Sequence, residues 1–139
     1  MNVESIMTRK VVTVESDDSL KTIREIFDNV KFHHLLVVEK RKLVGVISDR
    51  DLLKALSPFV GRLFERPQDV ALLNKRAHQI MSRKPITVDK EFRVEAAARL
   101  LMGKNVSCLP VTSLEGAIEG IVTWKDIFKA YCTRMNGEL

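Results

Sequence analysis

Short β-branched runs alternate along the chain with segments whose apolar residues recur at helical spacing, and this order comes round twice. Residues 11–14 predict a strand, and Asp17, Asp18 and Ser19 then supply acidic and capping residues for a helix. Leu20, Ile23, Ile26, Phe27 and Val30 follow as one buried stripe. Residues 35–38, a turn at 39–42 and residues 43–47 read as a hairpin. A second helix starts near Ser48 and stops at about Leu56, because Ser57 precedes Pro58 and the residue before a proline leaves the helical region. The second half repeats the order with a strand at 86–88, a helix at 93–104, strands at 109–112 and 118–122, and a last helix from Trp124.

Matching the halves turns this likeness into a period. Ile6, Met7, Arg9, Lys10, Thr13, Val14, Leu35 and Val37 return as Ile80, Met81, Arg83, Lys84, Thr87, Val88, Leu109 and Val111. One inserted residue later, Gly45, Asp51, Lys54 and Ala55 return as Gly120, Asp126, Lys129 and Ala130, and the insertion falls where a hairpin turn tolerates length. The expected organisation is a first unit at 1–58, a connecting insert at 59–78 and a second unit at 79–139. Units this short bury little apolar surface alone, so two should share a core. The insert carries Phe59, Val60, Leu63, Phe64, Val70, Leu72 and Leu73. These residues suit either short helices packed on their own module or a partner surface.

Composition narrows the class. A chain of 139 residues, 45% hydrophobic, fits a compact soluble domain, and its apolar runs are far shorter than the roughly 20 residues that span a bilayer. The start of the sequence lacks the pattern of a secretory signal, which predicts a cytoplasmic protein with no membrane role. Cys108 and Cys132 are expected to be reduced thiols. With 23 basic against 18 acidic residues the formal charge is +5, which favours anionic partners without choosing among them. The basic residues are scattered in pairs without interleaved aromatics, which argues against nucleic acid.

The strongest chemical signal is the segment Gly45-Val46-Ile47-Ser48-Asp49-Arg50-Asp51 and its altered copy Gly120-Ile121-Val122-Thr123-Trp124-Lys125-Asp126. A carboxylate can accept from both hydroxyls of a ribose cis-diol, and a Ser or Thr hydroxyl can donate to a phosphate. The same spacing is also a capping box that starts a helix, and the two roles are compatible. Asp49 adds a second acid that would repel a polyphosphate, which Arg50 would offset. Trp124, in the matching place, suits stacking on a ligand or packing at an interface. His33, His34 and His78 lack zinc-type spacing, so no metal is expected. With no catalytic triad, phosphate-binding loop or dinucleotide fingerprint, the chain is expected not to be an enzyme.

These residues resemble a tandem pair of cystathionine-β-synthase (CBS) domains, the arrangement called a Bateman module. The likeness rests on the Gly-x-x-Ser/Thr-x-x-Asp endings at 45–51 and 120–126, the Ile-Met-Ser/Thr openings at 6–8 and 80–82, and the runs Val12-Thr13-Val14 and Ile86-Thr87-Val88. It extends to His33-His34-Leu35-Leu36-Val37 and Ser107-Cys108-Leu109-Pro110-Val111. The resemblance implies an α/β (α+β) fold of two β-α-β-β-α units, related by a pseudo-two-fold axis and packed sheet to sheet. It also implies two clefts for adenosine ligands such as AMP, ADP, ATP or S-adenosylmethionine, and no catalytic cofactor. One cleft would combine Thr123, Lys125 and Asp126 with Val12, Thr13, His33 and Leu35. The other would combine Ser48, Arg50 and Asp51 with Ile86, Thr87, Val106, Ser107 and Leu109. Backbone groups of Val12 and Ile86 would read the adenine, and Leu36 against Pro110 would give the two base pockets different shapes.

The function expected from this is a stand-alone regulatory sensor that signals in trans to an unknown effector protein, assembled as a homodimer. The alternatives are a basic nucleic-acid-binding accessory protein and a structural subunit with empty clefts.

Overall fold

The computed structural model describes residues 1–136. Its chain divides into two compact units, Val12–Lys84 and Met1–Val11 with Pro85–Leu139. The described residues form mixed α/β structure with one four-stranded and one two-stranded sheet.

In the unit Val12–Lys84 the elements are β1 (Thr13–Glu15), α1 (Leu20–Asn29), β2 (His34–Glu39), β3 (Lys42–Ser48), α2 (Asp49–Ala55), α3 (Pro67–Ala71), α4 (Ala77–Ile80) and β4 (Ser82–Arg83). The sheet runs in that strand order, with β1 parallel to β2 and the other pairs antiparallel. Lys40 and Arg41, at φ 51° and 66°, make the tight hairpin connection, because left-handed backbone matches the twist of the flanking strands. Ser19 caps α1, its Oγ accepting the Thr22 N–H at 3.3 Å. The helix buries Leu20 and Ile23, with Ile26 and Phe27 packed at the margin, so the spacing read from the sequence is the spacing that packs. These side chains meet Val14, Leu35, Val37, Ile47, Leu52, Ala77 and Met81 in one core.

The insert divides between the two readings open for it, packing and exposure. Leu63 and Phe64 are 92% and 76% exposed, whereas Leu72 and Leu73 are half-buried. What holds the segment is polar. The Asp69 carboxylate is 2% exposed as a residue and accepts from the Arg66 backbone N–H at 2.9 Å and from Nε and Nη2 at 3.1 Å each. The guanidinium also lies 5.5 Å from the centroid of the Phe59 ring. Arg66 and the Ser57 hydroxyl together hold the Asp69 carboxyl well below the usual carboxylate range.

The second unit contains α5 (Val94–Lys104), β5 (Cys108–Thr112), β6 (Ile118–Thr123) and α6 (Trp124–Asn136). Asn105, at φ 52°, ends α5 in the left-handed conformation that asparagine tolerates. The strand expected at 86–88 is reduced to a single bridge between Val88 and Val111. Proline explains the loss. In the first unit the Leu36 N–H donates to the Val12 carbonyl at 3.1 Å, but the residue matching Leu36 is Pro110, which has no N–H to offer Ile86.

The opening motifs are exchanged between repeats. Thr8 pairs with Ile121 on β6, through hydrogen bonds of 2.9 Å in both directions. Ser82 and Arg83 pair with Val46 and Gly45 on β3. The unit boundaries therefore fall at 11/12 and 84/85 rather than at the ends of the repeats. In the structure the space above Gly45 is taken by the Met81 side chain, and that above Gly120 by the Thr8 carbonyl and Met7 Sδ.

Candidate functional site

Val12, Thr13, His33, Leu35, Ser48, Arg50 and Asp51 lie in the unit Val12–Lys84. Ser48 ends β3 and Asp51 sits in the first turn of α2. They form the reciprocal cap: the Ser48 N–H donates to Asp51 Oδ2 at 2.8 Å, and the Asp51 N–H donates to Ser48 Oγ at 3.1 Å. Capping uses only one carboxylate oxygen, and it leaves the serine hydroxyl proton available for donation. Arg50 is exposed beside them.

Asp49 is tied to His33 at two points. Its N–H donates to the His33 carbonyl at 3.0 Å, and its Oδ2 lies 2.8 Å from His33 Nδ1. That side-chain hydrogen bond holds the Asp49 carboxyl below its ordinary value. Burial lowers the pKa of the adjacent His34, against the opposing pull of Asp49 and Asp51. Thr13 is exposed and Val12 half-buried, while the Leu35 side chain is fully buried in the core and offers a ligand only its backbone.

The other unit holds Ile86, Thr87, Val106, Ser107, Leu109, Thr123, Lys125 and Asp126. Here both carboxylate oxygens accept hydrogen bonds. Asp126 Oδ2 accepts from the Thr123 N–H at 2.9 Å and the Thr123 hydroxyl at 3.2 Å, and Oδ1 accepts from the Thr8 hydroxyl at 3.1 Å. Thr8 was not among the residues expected from the sequence. Its signal was the hydroxyl that closes the Ile-Met-Ser/Thr opening. The Trp124 ring packs on the core of its unit and lies 6.4 Å from Phe128, centroid to centroid, tilted by 45°. Thr87 and Ser107 are exposed, Ile86 and Val106 half-buried, and Leu109 fully buried.

A concavity of about 570 Å³ in the unit Val12–Lys84, lined by Glu15, Ser16, Asp17, Glu39, Lys40, His78 and Arg83, contains none of these residues. Among the described residues no three metal-ligating side chains come together, and no helix is long and apolar enough to cross a membrane.

A hydroxyl and a carboxylate recur at the same strand-to-helix junction in both halves of this duplicated α/β chain, which is the arrangement of a paired domain. The CBS domain model matches residues 3–58 and 77–132, and the chain belongs to that family. It is 33% identical over 125 residues to an inosine-5'-monophosphate dehydrogenase of Korarchaeum cryptofilum, covering 90% of this chain and 23% of that enzyme's length. The likeness is thus to a CBS-sized part of a larger protein. Among solved structures, the CBS domain pair of protein MJ0100 in complex with 5'-methylthioadenosine and S-adenosyl-L-methionine superposes with a TM-score of 0.79 at 27% identity, covering 96% of this chain and 98% of that one. CBSX2 in complex with AMP matches equally well, with a TM-score of 0.79 at 27% identity and coverage of 97% and 98%.

Proposed function

We propose that this chain is a regulatory module that binds an adenosine-containing ligand, of the AMP, ADP, ATP or S-adenosylmethionine class, and transmits occupancy to a separate effector protein in the cytoplasm. The observation that carries the reading is the Asp51 carboxylate, whose cap occupies Oδ2 and not Oδ1, beside a serine hydroxyl able to donate. Family membership and the adenosine compounds held by MJ0100 and CBSX2 support it. In this reading Asp51 and Asp126 take ribose hydroxyls, Ser48, Arg50, Thr123 and Lys125 take phosphate, and Val12, Thr13, His33, Leu35, Ile86, Thr87, Val106, Ser107 and Leu109 surround the nucleoside. The module works as a homodimer, supported by Phe128, Tyr131 and Met135, which are 60–67% exposed at helical spacing on α6.

Ligand that binds only the folded state raises stability by about 2.7 kcal/mol at a hundredfold excess over Kd. A thermal-shift series with AMP, ADP, ATP and S-adenosylmethionine is therefore expected to raise Tm for at least one compound, and Asp51→Asn or Asp126→Asn to remove the shift. A midpoint unmoved by every compound would remove the basis of the reading.

A further inference from the structure

The concavity in the unit Val12–Lys84 lies away from every residue proposed above for adenosine. Strand β2 begins at His34, paired with Ser48, and ends at Glu39, paired with Lys42, and the concavity is built around that far end. At about 3.3 Å per residue the two ends of β2 stand about 17 Å apart. Hydrogen bonds to backbone pin the walls. The Ser16 N–H donates to the Val38 carbonyl at 3.1 Å, the His78 N–H donates to the Ser16 carbonyl at 3.0 Å, and Arg83 Nη2 donates to the His78 carbonyl at 3.0 Å. Lys40 sits in the left-handed turn that joins β2 to β3, at φ 51°.

Two independent observations point to a ligand. The first is Ser16, which is 7% exposed and lines the concavity. Its hydroxyl has no hydrogen-bond partner among the described residues, yet none of their unpartnered side-chain oxygens is sealed from solvent, so this one opens into the concavity. The second is charge. Glu15, Asp17 and Glu39 share the lining with Lys40 and Arg83, and none of the five takes part in an ion pair among the described residues. Opposite charges that line one concavity without meeting are best bridged by a ligand that carries both signs. Carboxylates outnumber cations in the lining, so the ligand's cationic groups should outnumber its own carboxylates. The volume of about 570 Å³ is that of a small-molecule site.

We propose that this concavity binds a basic amino acid. Its ammonium groups meet Glu15, Asp17 and Glu39, its carboxylate meets Lys40 and Arg83, and the Ser16 hydroxyl completes the hydrogen bonding. The site is separate from the strand-to-helix junctions, and it stands whether or not they hold adenosine.

Isothermal titration of the intact protein with three related compounds tests the proposal. L-Lysine carries all the required groups, L-norleucine lacks the side-chain ammonium, and cadaverine lacks the carboxylate. L-Lysine is expected to bind once per chain, and the other two about tenfold more weakly. Glu39→Gln and Lys40→Asn, the latter chosen because asparagine tolerates left-handed backbone, should each weaken L-lysine about tenfold. Ser16→Ala should weaken it about fivefold. Circular dichroism checks that the variants fold, and the comparison of compounds needs no variant. Absence of L-lysine binding at millimolar concentration would overturn the proposal. So would equal binding of L-norleucine or cadaverine, or an L-lysine affinity unchanged in folded Glu39→Gln and Lys40→Asn proteins.

Discussion

Replacing Gly120 by alanine puts the exchanged opening motif to the test. A Cβ at this position would lie 2.8 Å from the Thr8 carbonyl oxygen, 2.9 Å from Met7 Sδ and 3.2 Å from Met7 Cγ. The methionine can change rotamer, but the carbonyl is backbone and is held by the paired 2.9 Å hydrogen bonds between Thr8 and Ile121. Room therefore comes only by lifting residues 7 and 8 away from β6. Overpacking of this kind costs about 1–3 kcal/mol, and weakening one hydrogen bond adds about 0.5–1.5 kcal/mol. Alanine recovers about 0.5–1 kcal/mol by stiffening the unfolded chain. The net expectation is a loss of about 2 kcal/mol, read as a lower urea midpoint at constant m-value. The displaced Thr8 should also release Asp126, so the variant loses stability and alters ligand response together. A Gly120→Ala protein as stable as wild type would refute the packing described here.

Other positions give sharper controls. Gly103, exposed near the end of α5 with nothing within 4 Å of a built Cβ, should gain about 0.5–1 kcal/mol on replacement by alanine, measured by the same denaturation. Burial depresses the His34 pKa, so as pH drops below the ordinary value of 6.5 the unfolded chain binds more protons and stability is lost; His34→Gln should flatten that slope in urea titrations between pH 7 and 5. Asp49, through its His33 hydrogen bond, and Asp69, through Arg66, are depressed below 3.8, so their contributions persist above that value and fade as pH drops beneath it. Asp69→Ala should release the insert and speed tryptic cleavage after Arg62 several-fold, with the sheet of its unit still protected.

The sequence announced its helices and hairpins where one local rule sufficed. Ser19 and Ser48 cap where their spacing said they would, and the stripe from Leu20 to Phe27 packs as one face because nothing in the tertiary structure opposes helical periodicity there. Strand 86–88 failed for a reason visible only in pairing, since Pro110 weakens a neighbour far away in sequence. The insert left two readings open because apolar content does not say what covers it; Leu63 and Phe64 stand open while a buried acid fastens the segment. Within the candidate site, Ser48, Asp51, Thr123 and Asp126 were legible from the repeat. The Thr8 hydroxyl on Asp126 and the His33 latch on Asp49 were not, because each joins residues far apart in the chain through contacts that no periodicity encodes.

Exchange of the opening motifs also sets an order of assembly during synthesis. The unit Val12–Lys84 is one unbroken run, so every strand and helix it needs has emerged once residue 84 clears the ribosome. Residues 1–11 precede it and find their partners only after it, residues 1–4 against 90–94 and Thr8 on β6. Thr8 must wait for Ile121, more than a hundred residues downstream, and this long loop slows completion of the unit. Until β6 is made Thr8 has no strand to pair with, and the Met7 side chain beside it lacks the strand face at Gly120 on which it packs.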